Sequence, residues 1–159
     1  MVVLKRLDQA LRDGDSIRGV IRNTAVGQDG KTSGITLPNG EAQQHLIHSV
    51  YASAMLDPSK IGYVEAHGTG TVAGDITEID AITKAFCKAR DPESPLYVGS
   101  IKGNIGHLES TSGLAGLIKA VLVLEKGVIP PTPNLEILKD KIDLKAANIR
   151  VWHYACLSS

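Results

Sequence analysis

Two histidines are the residues best suited to chemistry, because each lies beside glycines at the end of a short apolar segment. His67 precedes the run Gly68-Thr-Gly-Thr71, and His107 follows the run Lys102-Gly-Asn-Ile-Gly106. A neutral imidazole can donate an N–H to a carbonyl oxygen that gains negative charge, and two such donors on one oxygen form an oxyanion hole. The pair therefore predicts a site that stabilises an enolate.

The glycines and threonines of the first run suit a polar ligand that lies close to the backbone. Glycine lets the backbone approach a substrate closely and adopt positive φ. Thr69 and Thr71 add hydroxyls that can hydrogen-bond a polar ligand without adding charge. We therefore expect this loop to suit a thioester or amide arm.

Three other interpretations of the histidines stay open. Each could be a half-buried structural residue, an interpretation that the matching positions of His67 and His107 weaken. A metal site is disfavoured because neither histidine has a third Asp, Glu or Cys at short helical spacing. A phosphate cradle is disfavoured because the sequence lacks both the GxxxxGK and the GxGxxG patterns.

Two units of strand, loop and helix are predicted to carry these histidines. Residues 61–67 and 96–102 each read as a short strand that leads into a glycine-rich loop and then a helix, which indicates an α/β fold. Such folds bind ligands beyond the strand ends. The first helix is predicted to begin at Asp75, with Glu78 completing a capping box.

The other elements are predicted from periodicity and from turn-forming residues. The second helix should cover residues 111–125, lie buried between layers and end at Gly127. Upstream, we predict a strand over residues 17–22, a long loop over 23–40 and an amphipathic helix over 41–56.

Composition excludes several classes of function. A chain of 159 residues, 43% hydrophobic, can bury one ordinary core. Its 17 basic and 17 acidic residues are scattered, which favours neither nucleic acid nor a membrane surface as a partner. The longest apolar stretch, residues 114–124, is about half of the roughly 20 residues that span a membrane. Two cysteines without a CxxC motif, and a start without a secretion signal, favour a cytoplasmic setting.

The two histidine motifs resemble the ketosynthase domain of fatty acid and polyketide synthases. The resemblance rests on residues 64–71, Gly74-Asp75 and residues 98–107, in the same order and spacing. Flanking segments, including residues 112–120, are similar to modular or fungal iterative polyketide synthases. The whole resemblance covers residues 2–138, so we predict a partial ketosynthase domain over 1–138 and a divergent tail over 139–159.

This resemblance implies a fold, a reaction and partners. The family has the thiolase-like fold, α/β/α/β/α in five layers and incomplete here, and works as a homodimer. Its reaction is a decarboxylative Claisen condensation of a malonyl thioester with an acyl thioester. The thioesters arrive on the phosphopantetheine arm of an acyl carrier protein, which is a substrate arm; no cofactor is bound directly.

The resemblance also implies roles for individual residues. His67 and His107 would hold the malonyl thioester carbonyl. Lys102, paired with Glu78, would order the site, and the lysine pairing is favoured over the capping box for that carboxylate. Thr69 and Thr71 would hydrogen-bond the pantetheine arm, with loop-stabilising turns as the alternative.

The family's nucleophilic cysteine, upstream of the first histidine, has no counterpart in the sequence. Cys156 lies after both histidines, and Cys87 is expected to be a packing residue. Three hypotheses follow: a ketosynthase region whose cysteine lies in sequence outside this chain, a catalytically inactive truncated remnant, or a decarboxylase that does not condense.

Overall fold

A computed structural model describes residues 1–30, 32, 34, 37–133 and 143–151. Within them are five α-helices and three β-strands. The helices are α1 (Leu7–Arg12), α2 (Gly40–Ser53), α3 (Val72–Phe86), α4 (Lys102–Ile105) and α5 (Ser112–Lys126). The strands are β1 (Tyr63–Glu65), β2 (Leu96–Gly99) and β3 (Ile149–Val151), and single 3-10 turns cover Pro58–Lys60 and Glu109–Thr111.

The three strands form one parallel sheet in the order β1-β2-β3. Tyr63 lies opposite Tyr97 and Leu96 opposite Ile149. Both strands predicted to precede the histidines are confirmed, and their carboxyl ends lie at the same edge of the sheet. The strand β3 falls within the predicted tail; the boundary at residue 138 stays a prediction.

One face of the sheet carries the hydrophobic core. The side chains of Val64, Leu96 and Val98 point to this face, where Ile82 and Phe86 of α3 cover them. The helix α2 packs against α3, with a perpendicular contact between the rings of Tyr51 and Phe86 at 5.3 Å. The predicted helix over 41–56 is therefore confirmed, although it begins and ends slightly earlier.

The other face of the sheet carries α5, which lies against β1. This helix ends at Gly127 in the left-handed conformation, as predicted. The prediction that it is buried is wrong, because its large apolar side chains remain open to solvent, Leu114 at 48% and Leu124 at 74%. Only Lys119 of this helix is buried. Within the described residues, the segment around Arg18 contacts α5 through an ion pair with Glu125 but leaves these apolar side chains exposed.

A second prediction is also wrong: residues 17–22 do not form a strand. Ile17 and Ile21 are exposed, and the sheet found in the described residues consists of β1, β2 and β3 and does not include this segment. The described part of the predicted loop over 23–40 is a loop except for Gly40, which begins α2. No helix among the described residues is long and apolar enough to cross a membrane.

Candidate functional site

The structure brings the two histidines together at the carboxyl edge of the sheet. The ring centroids of His67 and His107 lie 5.5 Å apart, and the ring planes are nearly perpendicular at 89°. Both residues are exposed, so a ligand can reach them. Forty residues separate them in the sequence, and the parallel pairing of β1 with β2 closes that gap.

The loop that carries His67 is held by one carboxylate. Glu78 of α3 accepts the His67 N–H at 2.7 Å through Oε1 and the Gly68 N–H at 2.9 Å through Oε2. The predicted capping box is therefore wrong, since α3 begins three residues before Asp75 and the side chain of Thr71 does not cap it. The carboxylate of Glu78 anchors the loop rather than the helix.

The same loop lies directly against the end of β2. The Ser100 hydroxyl donates to the His67 carbonyl oxygen at 3.2 Å. A Cβ added at Gly68 would lie 2.7 Å from the Ser100 Cβ, and the φ of Gly68 is +47°. Any larger residue there would both clash and occupy a strained conformation. The close approach of the two histidine loops thus depends on this glycine.

The second histidine is oriented by its own backbone. The Glu109 N–H donates to His107 Nδ1 at 2.9 Å. Because a backbone N–H can only donate, Nδ1 must carry a lone pair, so the ring proton of a neutral His107 lies on Nε2. The φ of Glu109 is +47°, which is unusual for a residue with a side chain. This left-handed backbone conformation turns the Glu109 N–H toward the His107 ring.

Lys102 and Glu78 do not form the predicted pair. No ion pair within 4.0 Å joins them, and both carboxylate oxygens of Glu78 already accept backbone N–H groups of the His67 loop. Lys102 is half-buried at the start of α4, where its own N–H donates to the Ser100 hydroxyl at 3.3 Å. The prediction of a direct Lys102–Glu78 contact is therefore wrong, whereas a role for each residue in ordering the site stays a prediction.

The two threonines lie on the same loop as His67, close to the start of α3. The hydroxyls of Thr69 and Thr71 are 3.4 Å apart, and Thr71 is exposed. The loop is closed by Asp75, whose carboxylate accepts the Gly70 N–H at 3.2 Å. Burial raises the pKa of Asp75 above its usual value. Contact between these hydroxyls and a ligand stays a prediction.

The cysteine in the described residues, Cys87, is not suited to act as the nucleophile. Cys87 is half-buried at the end of α3, and burial raises the pKa of its thiol, which disfavours the reactive thiolate. Cys156 lies outside the described residues. Among the residues that the structure describes, no three or more His, Cys, Asp or Glu side chains are grouped as a metal site.

Sequence patterns missed several residues that support the site. Ser100 and Glu109 act through a hydroxyl and a backbone N–H, and neither contact has a sequence signature. Glu65 and Lys119 form a buried ion pair behind the histidines. A signal for this pair was available, because Lys119 interrupts an apolar helix and Glu65 interrupts a short strand.

Comparison with known proteins finds one family and several similar polyketide synthases. Residues 18–136 match the family described as beta-ketoacyl synthase, C-terminal domain. The chain is 53% identical over 150 residues to the highly reducing polyketide synthase SAT13 of Stachybotrys chartarum, covering 94% of this chain and 6% of that protein. It is 54% identical over 150 residues to the highly reducing polyketide synthase sdnO of Sordaria araneosa, covering 94% and 5%. The chain thus spans only a small part of these relatives.

Solved structures show the same fold. A ketosynthase from module 6 of the bacillaene synthase of Bacillus subtilis 168 superposes with a TM-score of 0.86 at 35% identity, covering 92% of this chain and 26% of that one. The oxazolomycin ketosynthase domain OzmH KS7 of Streptomyces albus JA3453 gives a TM-score of 0.86 at 39% identity, covering 94% and 26%. The predicted thiolase-like α/β fold is confirmed.

Proposed function

The chain belongs to the β-ketoacyl synthase family, and we propose that it supplies the two histidines of a polyketide ketosynthase site. The observation that carries this proposal is the 5.5 Å separation of the His67 and His107 rings at the open edge of the sheet. Two imidazoles at this distance can both reach one carbonyl oxygen. The proposed reaction is the decarboxylative condensation of a malonyl thioester with an acyl thioester.

The proposed chemistry follows from where negative charge develops. The malonyl thioester carbonyl lies between the two rings, and each ring donates one N–H to its oxygen. When the bond between the α-carbon and the carboxylate breaks, CO2 leaves and the electron pair forms an enolate whose oxygen holds the charge. Fixed N–H donors stabilise that oxygen more than the neutral carbonyl, which lowers the barrier. The Nε2 proton of His107 is available for this purpose, because Nδ1 is occupied by the Glu109 N–H.

Completion of the reaction requires groups that the described residues do not provide. In the proposal, a cysteine in sequence outside this chain carries the acyl group, and the enolate carbon bonds to that acyl carbonyl carbon as the cysteine thiolate leaves. An acyl carrier protein presents the malonyl group on its phosphopantetheine arm, with Thr69 and Thr71 hydrogen-bonding the arm. We also propose that the intact ketosynthase is a homodimer and lies in the cytoplasm.

One observation favours a second candidate, an inactive remnant of a ketosynthase. The thiol of Cys87, the cysteine within the described residues, has a raised pKa and lies on the far end of α3 from His67. A chain that functions without further sequence would have no described nucleophile. The two candidates differ in what happens when a cysteine-bearing partner segment is supplied.

A graft separates the two candidates. This chain replaces its matched segment in the ketosynthase of the Stachybotrys chartarum relative, and condensation of a malonyl thioester with an acyl thioester is measured. We expect the graft to condense, and the His67→Ala or His107→Ala graft to lose about 100- to 1000-fold in rate, because each removes one oxyanion donor. A folded graft without condensation would support the remnant and overturn the proposal.

A further inference from the structure

A buried charged cluster lies behind the histidines, on the α5 side of the sheet. Lys119 is 4% exposed, and its Nζ lies 2.9 Å from Oε2 of Glu65, whose side chain is 12% exposed. The ammonium meets the carboxylate off the line that a hydrogen bond requires, so charge attraction holds the two together. The same ammonium lies 5.7 Å from the centre of the Tyr63 ring.

The carboxylate of Glu65 makes two further contacts. The Tyr63 hydroxyl donates to Oε2, and the Ile101 N–H donates to Oε1 at 2.6 Å. Burial and the neighbouring carboxylate raise the pKa of Tyr63, which keeps its hydroxyl protonated as a donor. Glu65 therefore has partners on its own strand, on α5 and on the segment that follows β2.

Two glycines leave room for this cluster. A Cβ at Gly116 would lie 3.2 Å from the Glu65 Cγ, a tight contact that would require the Glu65 side chain to move by a few tenths of an ångström. A Cβ at Gly99 would lie 3.0 Å from the Tyr63 hydroxyl oxygen and 3.4 Å from the Lys119 Nζ. The backbone at these two glycines thus packs closely against the side chains of Glu65, Lys119 and Tyr63.

The position of Glu65 connects the cluster to the site. It is the last residue of β1, two residues before His67. Its partner Ile101 immediately precedes α4, which leads to His107, and its partner Lys119 lies on the helix that follows His107. One carboxylate therefore links the end of β1, the segment that leads to His107 and the helix that follows His107.

We propose that Glu65 is a positioning residue that fixes the separation of His67 and His107, and that Lys119 holds its carboxylate in place. The catalytic meaning of this inference rests on the proposed ketosynthase function. Burying an ion pair contributes little net stability compared with apolar residues of similar size. Such a pair is better explained by the geometry that it imposes on the two loops.

A matched pair of double variants tests this inference. Both Glu65→Gln/Lys119→Met and Glu65→Leu/Lys119→Met remove the charges, but only the glutamine keeps an oxygen that can accept the Ile101 N–H. In the full 159-residue chain, the readouts are the nuclear Overhauser effect between the two histidine rings and hydrogen exchange of the Ile101 amide. Ile82→Val, a core truncation away from the cluster, controls for lost stability.

We expect the glutamine variant and Ile82→Val to keep the ring-to-ring signal within about twofold of wild type. The leucine variant should lose it, and its Ile101 amide should exchange at least about tenfold faster because the hydrogen bond is gone. Equal ring signals in both double variants would overturn the inference. If the leucine variant does not fold, the wild type still decides, because an Ile101 amide without protection would also overturn it.

The same variants in the grafted ketosynthase separate this inference from the proposed function. The leucine variant should lower kcat about 10- to 100-fold with KM changed less than about threefold, because misplacement affects the reacting geometry more than binding. The glutamine variant should keep most of kcat. An inactive wild-type graft would count against the function alone, whereas an active graft with unchanged kcat in the leucine variant would count against the positioning role.

Discussion

The two histidine loops occupy equivalent positions after neighbouring parallel strands, yet they are held in different ways. The His67 loop is anchored by side chains from elsewhere, since Glu78 binds its backbone N–H groups and Ser100 binds its carbonyl oxygen. The His107 ring is oriented by a local contact, the Glu109 N–H to its Nδ1, and the segment that leads to it is held at Ile101 by Glu65. The His67 loop is therefore anchored through its own backbone groups, whereas the orientation of the His107 ring also depends on the left-handed conformation of Glu109.

The largest effect on stability is expected at Gly68, where the two loops touch. Gly68→Ala should lower the free energy of unfolding by about 2–4 kcal/mol, because the new Cβ would clash with Ser100 in a left-handed conformation. Gly127→Ala is the matched control, since its φ is also positive but nothing lies within 4 Å. Urea unfolding measures both, and equal losses would show that the loops do not depend on close contact.

A smaller effect is expected at the anchor of the first loop. Glu78→Gln leaves one acceptor oxygen for two N–H donors, so the free energy of unfolding should fall by about 1–2 kcal/mol. Hydrogen exchange should speed up at His67 and Gly68 but not at Glu109. Asp80→Asn, on the exposed side of the same helix, should change neither amide. Faster exchange in both loops would contradict separate anchoring.

In the second loop, a substitution to glycine should stabilise the folded chain. Glu109→Gly relieves the left-handed strain of that residue and should raise the free energy of unfolding by up to about 1 kcal/mol. Glu109→Ala keeps the strain and should give no gain. Thermal unfolding of both variants checks this, and a loss of stability with glycine would show that the Glu109 side chain matters more than its backbone.

The smallest effect concerns the pH dependence of the first loop. Burial raises the pKa of Asp75, so the folded chain holds its proton to a higher pH than the unfolded chain does. Asp75 therefore favours the folded state more as the pH falls toward 3.8, the ordinary pKa of this carboxyl, and less as the pH rises. Asp75→Asn should remove that contribution, which urea unfolding at several pH values would detect. An unchanged pH profile would contradict it.

The sequence predicted the parts of this molecule that depend on local pattern. Strand, glycine-rich loop and helix followed from the residue types around His67 and His107, and the parallel pairing then placed both rings at one edge. The contacts of Glu78 could not be predicted, because a carboxylate near a helix start can bind the helix, a lysine or a loop. The exposure of α5 was also missed, since an apolar helix shows its preference for burial but not whether a covering layer is present.

The central claim is that His67 and His107 both donate an N–H to one carbonyl oxygen. Long-range proton–nitrogen NMR of the histidine rings, with a malonyl thioester analogue that cannot decarboxylate, tests it most directly. We predict that free His107 carries its proton on Nε2, and that signals of both rings shift together and saturate at one ligand concentration. A His107 proton on Nδ1, or a shift confined to one ring, would contradict the account.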